Sequence, residues 1–377
     1  ASPKGSLSLA RRTLGATGNQ SFGYFAGGYG SAYHTTIDRV DYSNDTATAA
    51  EKGPLSLGRF ALTGATGNQS FGYFAGGGTS PIVTTIDRID YSNDGVTAVE
   101  KGPLATGAWF IFATGNDSFG YFGGGEIPAD FSTVQRVDYS NDTATTSPKG
   151  TLSVARARGA ATGNSSFGYF GGGKEPGPIS TIDRVDYSND TATASPKGPL
   201  SAVNKELTAS SSRANAMPLK GPGNLEVPVA FGAFSVTGIV PVGTDFGYFS
   251  GGGPGNRSSV DRIDYFNDTS TASPKGTLSE NVAGLSGTSN SPFGYFGGGE
   301  PGPKSLVNRI DYSNDTATAS PKGPLSLART TISSTGNSSF GYFGGGETPS
   351  AKVTTIDRID YSNDTATAVE KGPLSVG

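Results

Sequence analysis

The sequence predicts an all-β fold, a seven-bladed β-propeller whose blades are four-stranded antiparallel sheets. Three observations carry that expectation. The tetrad Phe-Gly-Tyr-Phe begins at Phe22, Phe71, Phe119, Phe167, Phe246, Phe293 and Phe340, with steps of 49, 48, 48, 79, 47 and 47 residues. A second phrase, Arg-Val/Ile-Asp-Tyr, begins at Arg39, Arg88, Arg136, Arg184, Arg262, Arg309 and Arg358 on nearly the same beat. No stretch of the unit has a helical period, and 58 of the 377 residues are glycine. A period near 48 residues is that of propeller blades rather than of short helical solenoid repeats.

The fourth unit shows how each element is read. LSVARARGAATG (152–163) is a first strand of small residues. SFGYFGGG (166–173) is the clearest strand, ended by glycines that permit positive φ and close chain approach. STIDRVDY (180–187) alternates Ile182, Arg184 and Asp186 on one face with Asp183, Val185 and Tyr187 on the other, the period of two of a strand. SND (188–190) is an Asn/Asp turn, and TATAS (191–195) is a threonine-rich final strand before a Pro-Lys-Gly turn. Applied along the chain, this reading makes residues 1–377 a single propeller. Its blades fall near 6–52, 53–101, 102–149, 150–198, 199–275, 276–322 and 323–377. The fifth carries an insertion placed at 202–228, in the link between the fourth and fifth blades.

At these residues the unit resembles a kelch repeat. Arg156 opens the first strand, Tyr169 and Phe170 precede the glycine doublet Gly171-Gly172, and the third strand ends in Tyr187 before a polar turn. The match covers all seven units. It departs in two places: Thr193-Ala194 stands where a kelch repeat carries tryptophan, and Ala108 and Val282 replace the opening arginine seen at Arg11, Arg59, Arg156 and Arg329.

The recurring rings explain why the motif returns. Each aromatic side chain buries ~150–250 Å², so the tetrad's three rings and the tyrosine of the second phrase can cement one blade to the next. The glycine run is not read as a phosphate-binding loop, since it lacks both the following helix and the lysine of a P-loop.

Composition narrows the function. Net charge is −4 and the isoelectric point about 5.2, which implies no basic surface and no nucleic-acid partner. No apolar run is long enough to cross a bilayer, so no membrane insertion is expected. Cysteine is absent, which excludes disulfides and thiolate metal sites. The chain opens at Ala1 inside a phrase, ASPKG, that elsewhere falls mid-repeat, so the expectation is a processed chain or a window onto a longer one.

Antiparallel blades sort their loops onto two faces. The turns from strand one to two and from three to four share a face and barely vary; the two-to-three loops and the blade links share the other and do vary. Loops on a rigid scaffold commonly carry recognition, so the variable face is the expected binding face. Its candidates are Tyr29, Tyr33, His34 and Phe131, with the charged loop residues Lys174, Glu175, Arg257 and Lys304. The insertion adds Lys205, Arg213 and Lys220. Trp109, Phe110 and Phe112 interrupt a small-residue first strand and are further candidates for stacking, although local packing is the simpler role for Trp109 and Phe112.

Asp90, Ser92 and Asp94 resemble the opening of a calcium loop, but the distal carboxylate that calcium needs is missing, and an Asx-turn accounts for them. Asn-x-Ser/Thr triplets at Asn44, Asn141, Asn164 and Asn189 recur with the turn itself. One histidine and no cysteine rule out a copper site of the galactose-oxidase kind and an ordinary zinc site. The expectation is therefore a non-catalytic protein without a cofactor. The FGYFGGG…RIDYSNDTATASPKGPLS phrasing also resembles repeat proteins of marine bacteriophages and their hosts. That resemblance implies a virion component of tail, fibre or decoration type, on a particle or cell surface, with structural proteins or a surface glycan or protein receptor as partners. The alternatives are an intracellular kelch-type adaptor and an extracellular propeller that binds or processes glycans.

Overall fold

The alternation of side chains in each repeat becomes a four-stranded sheet. The computed structural model describes residues 2–3, 5–62, 64–79, 81–211, 246–265, 267–290 and 292–365. In the fourth repeat Ala160–Gly163, Phe167–Gly171, Ile182–Asp186 and Ser195–Pro196 pair antiparallel in chain order. Tyr169 lies opposite Thr162 on one side and Arg184 on the other. The outer strand is short and ends in proline, which cannot donate to a further strand and so blunts the edge. Seven such four-stranded sheets form the predicted seven-bladed propeller.

Two boundaries differ from the expectation. The seventh blade takes its outer strand from the other end of the chain: Ser2 pairs with Arg358 and Pro3 with Asp357. Residues 366–377, assigned to that blade by the repeat, lie outside the described residues. In the fifth blade Thr208–Ser211 is an ordinary first strand, with Ser211 opposite Gly247 as Gly163 is opposite Gly168. The extra length is therefore 212–245, between strands one and two, and not 202–228 in the blade link. Compositional similarity between the link and the extra residues hid this register. Arg213 and Lys220 fall in 212–245 and lie outside the described residues.

The core is not one mass but seven wedges, one between each pair of neighbouring blades. Between blades one and two, for example, Tyr24, Ile37, Leu55, Leu62, Phe74 and Tyr91 pack together. The last wedge joins blade seven to blade one through Tyr342, Ile356, Leu14, Phe25 and Tyr42. Each wedge contains a stacked tyrosine pair, such as Tyr121 on Tyr187 with ring centroids 4.6 Å apart. Three of the four recurrent rings are thus the mortar between blades. The fourth, the opening phenylalanine, packs on the rim of the wedge and lies under the third-strand arginine of its own blade, as Phe22 lies 4.3 Å from Arg39.

The turn between strands three and four supplies the polar half of each joint. Asp94 of blade two accepts the Tyr24 hydroxyl at 2.8 Å, the Arg39 guanidinium at 2.8 Å and the Lys52 ammonium at 3.1 Å, all three from blade one. Arg184 likewise reaches Asp268 of the next blade at 2.8 Å, and not Asp186, with which it shares a strand face in the alternation. Asp186 accepts the Ser188 hydroxyl at 2.6 Å within its own turn.

A second charged device sits inside four blades. Arg11, Arg59, Arg156 and Arg329 are fully buried and pair with Asp38, Asp87, Asp183 and Asp357 at 2.6–2.8 Å. Each also donates to the carbonyl of the second-strand phenylalanine, as Arg156 does to Phe170 at 2.9 Å. Two of the blades that lack the arginine also lack the aspartate. Ala108 accompanies Gln135, and Val282 accompanies Asn308. A buried carboxylate without its cation is expensive, so the pair is lost as a unit. Blade five breaks the pattern: Asn204 replaces the arginine while Asp261 remains, 2% exposed.

Candidate functional site

The first strands stand side by side around the axis and enclose a channel whose two ends differ. Towards the uniform face it narrows to about 210 Å³, walled by hydroxyls such as Thr17, Thr162, Ser210 and Thr288. Those hydroxyls are committed to the joints: Thr162 lies 3.2 Å from the Tyr265 hydroxyl and donates to the Ser210 carbonyl at 3.3 Å. Small residues at the end of the first strand make this constriction, because seven strands converge there.

Towards the variable face the channel opens into a funnel of about 620 Å³, within the ~300–1,000 Å³ usual for small-molecule sites. Blade links and first strands form most of its wall, and two-to-three loops add Glu300 and Glu347. Arg158 is the hub of one side. Its guanidinium lies 3.3 Å from Glu206, 3.5 Å from Glu126 and 4.2 Å from the centre of the Phe110 ring. Lys174 joins Glu126 at 3.6 Å, and Lys205 joins Glu206 at 3.4 Å. Across the mouth Arg12 pairs with Glu347 at 3.3 Å. Threonines and serines fill much of the remaining wall, among them Thr13, Thr208, Ser286, Thr331 and Ser333.

An aromatic row runs outward from the funnel over blades one to three. Tyr29 lies 5.7 Å from Tyr33, Tyr33 stacks on Phe60 at 5.1 Å, and Phe60 lies 5.9 Å from Trp109. Lys352 sits 5.1 Å from the centre of Tyr29. Of these rings Tyr33 is the most exposed, at 39%. Trp109 is half-buried against Phe60 and the backbone at Gly78, and its indole nitrogen has no hydrogen-bond partner among the described residues.

The structure thus brings Tyr29, Tyr33 and Trp109 into one row and places Lys174 and Lys205 on the funnel's charged arc. Other candidates stand apart. Phe131 packs against the wedge between blades two and three instead of standing free. Glu175 is exposed in a two-residue ribbon with Gly177. Lys304 pairs with Glu280 at 2.9 Å, and Arg257 bridges backbone to backbone with Val282. His34 is half-buried beside Gly30, where burial and then the charge of Arg11 lower its pKa. Phe112 lies in the wedge between blades three and four, 5.8 Å from Phe170, as packing required.

The calcium-like residues are engaged elsewhere. Asp90 accepts both the amide and the hydroxyl of Ser92, at 2.9 and 2.7 Å, and that hydroxyl is the main reason its pKa is lowered. Asp94 is the joint acceptor described above. Among the described residues no group of three or more potential metal ligands occurs.

Sequence reasoning found Phe110 but missed the rest of the funnel wall: Arg12, Arg158, Glu206 and Glu347. The signal was present. Two residues after the link arginine, otherwise similar repeats read Thr13, Ala61, Phe110, Arg158, Glu206, Gly284 and Thr331. Variation at that single position is hard to see beside the longer, more variable loops.

No family model and no curated protein matches the sequence. Among solved structures, the one titled "Structure of YjhT" superposes with a TM-score of 0.55 over 94% of this chain and 95% of its own, at 13% identity. At that identity the likeness establishes the propeller fold alone.

Proposed function

We propose that the chain is a non-catalytic binding propeller that engages its ligand through the funnel on the variable face. The observation that carries this reading is the asymmetry of the channel. One end narrows among hydroxyls committed to the blade joints, and the other opens into a wide mouth whose wall differs from blade to blade. Two of the funnel's carboxylates, Glu206 and Glu347, are already paired with Arg158 and Arg12, which suits holding a ligand better than exchanging protons with one. The kelch-like repeat, and the resemblance to bacteriophage repeat proteins, extend the reading to a virion tail, fibre or decoration part in assembly or host-surface adhesion.

The test has two parts. Labelled protein is assayed on intact cells and envelopes of the source organism. Arg12→Glu, on the funnel, is expected to reduce binding, while Ser188→Lys, on the opposite face, leaves it unchanged. Mass spectrometry of purified particles then places the chain among particle proteins. Recovery only with a cytosolic partner would favour the adaptor alternative, and turnover of a ligand in the funnel would overturn the non-catalytic reading.

A further inference from the structure

One strained backbone position recurs around the mouth of the funnel. At Thr13, Ala61, Phe110, Arg158, Glu206, Gly284 and Thr331 the chain lies in the left-handed region, with φ between 52° and 62°. These are the same place in seven blades, two residues after the link position that Arg11 holds in the first. A side chain at such a φ brings Cβ against the following carbonyl, and for a β-branched residue such as Thr13 or Thr331 the conformation is a true outlier.

Glycine adopts this conformation without that cost, and the chain is rich in it, with 58 residues. Yet blade six alone places glycine there, at Gly284. The surrounding link is uniform by contrast. The leucine that begins it recurs as Leu7, Leu55, Leu104, Leu152, Leu200, Leu278 and Leu325, and the residue just after the strained one is aliphatic in every blade but the fourth, where it is Gly159. Diversity and strain therefore coincide at one position, and six of its seven occupants line the funnel. Strain kept against an available remedy points to use.

Resting on the funnel as the binding site, we propose that the six left-handed positions that line it are its specificity ring, and that the ligand they select is an uncharged, hydroxyl-rich molecule, a neutral saccharide. The charge pattern of the wall argues against an anion, and a third carboxylate, Glu300, adds an acceptor for hydroxyls. Arg12 and Arg158 are both answered by carboxylates, so an anion finds no unpaired guanidinium on the funnel wall. The paired carboxylates Glu206 and Glu347 keep lone pairs that accept hydroxyl hydrogen bonds, and Phe110, on the Glu206 side with Arg158 4.2 Å from its ring, offers the ring's remaining surface for the C–H face of a sugar. Thr13, Thr331 and Ser333 donate their hydroxyl hydrogens to the carbonyls of Arg12, Thr330 and Leu14 and keep lone pairs that accept from a ligand's hydroxyls.

The experiment compares glycine variants with an off-ring control. Binding is measured by titration calorimetry with maltotriose, cellotriose and chitotriose as neutral probes, and with trigalacturonate and glucosamine as charged ones. The double variant Thr13→Gly with Thr331→Gly is expected to melt higher than the parent, by about 1–2 °C, and yet to bind the best neutral probe about tenfold or more weakly. Phe110→Gly is expected to weaken the same probe. Ser286→Trp fills the funnel from a position off the ring and is expected to abolish binding.

Glycine variants that bind as well as the parent, while Ser286→Trp does not, would overturn the ring and leave the funnel standing. Undiminished binding in Ser286→Trp would overturn the funnel as the site. A lowered melting temperature in the double glycine variant would overturn the strain argument. Preference for a charged probe, or failure of all three neutral ones, would overturn the ligand class.

Discussion

Tyr342 of the seventh blade donates its hydroxyl to Asp45 of the first at 2.6 Å, the bond by which Tyr24 holds Asp94 between blades one and two. The chain passes from blade one into blade two after Lys52, and from the outer strand of blade seven, Ser2–Pro3, into blade one, and the polar joint is the same at both. Ring closure adds the N-terminal strand of blade seven to a joint that is otherwise the ordinary one. The joint at the seam is one copy of seven, with Arg358 beside Tyr342 at 2.8 Å from the same carboxylate.

That equivalence makes the joint testable. Asp94→Ala leaves the Tyr24 hydroxyl buried without its acceptor and strips Arg39 and Lys52 of their carboxylate. The expected loss is about 2–4 kcal/mol, the range for breaking a largely buried, charge-assisted cluster by removing one partner. Tyr24→Phe removes one bond of the three and is expected to cost about 1–1.5 kcal/mol. Urea unfolding followed by tyrosine fluorescence measures both, and equal midpoints for the two variants would contradict the cluster.

Much of this architecture was legible in the residues. The tetrad marked the second strand and the Arg-x-Asp-Tyr phrase the third, because the rings and the alternation they impose are strong local signals. The partner of Arg184 was not legible. Spacing along its strand suggested Asp186, whereas Asp268 lies 84 residues away and meets it only because the blades pack radially. The funnel was missed for a similar reason: Arg158 and Phe110 belong to different repeats and meet only around the axis.

The unmatched carboxylate of blade five gives a pH signature. Burial is the main reason the pKa of Asp261 is raised, opposed only by its bonds from Ser201. A raised folded-state pKa means that the native state favours the protonated form. Below the ordinary aspartate value, near ~3.9, both states are protonated and there is no penalty. As pH rises through that value towards the raised one, the unfolded state ionises first and native stability falls. Asp261→Asn is therefore expected to melt higher than the parent at pH 7 and to match it at pH 3. The protein already contains the substituted arrangement: in blade six Asn308 accepts the Ser279 amide at 3.0 Å, as Asp261 accepts that of Ser201 at 3.1 Å. Calorimetric scans at the two pH values decide it, and a parallel shift at both would remove burial as the cause.

Gly172 is a packing device as well as a strand end. Its φ is +61°, and a Cβ there would lie 2.7 Å from the Asn204 carbonyl and 3.0 Å from Leu207, both in the link to the next blade. Gly172→Val adds a β-branched side chain to a left-handed residue facing backbone that cannot swing aside. The expected cost is about 2–4 kcal/mol. Gly177, with nothing within 4 Å of its would-be Cβ, is the control. Gly177→Val is expected to leave the melting temperature within about 1 °C, as surface changes usually do.

The fifth blade supplies the last prediction, because two deletions that look alike in sequence differ in structure. Removing Lys205–Gly223 takes away Thr208–Ser211, the innermost strand, together with Leu207 of the wedge between blades four and five. Phe246–Ser250 would then lose its inner partner, and the neighbouring first strands would face each other across a gap one strand wide. That variant is expected to lose cooperative folding. Removing 212–245 is another matter. Ser211 and Phe246 stand where Gly163 and Phe167 stand in blade four, a pair that three residues join. Replacing 212–245 by Asn-Ser-Ser, the blade-four sequence, restores that turn, whose Asn164 side chain accepts the amides of Ser166 and Phe167 at 2.8 and 2.9 Å. The shortened chain is expected to fold with a sharp thermal transition. It is also expected to keep funnel binding, since the cut lies at the channel's opposite end. Circular dichroism separates the two deletions, and a folded Lys205–Gly223 deletion would mean that blade five tolerates loss of the strand that lines the axis.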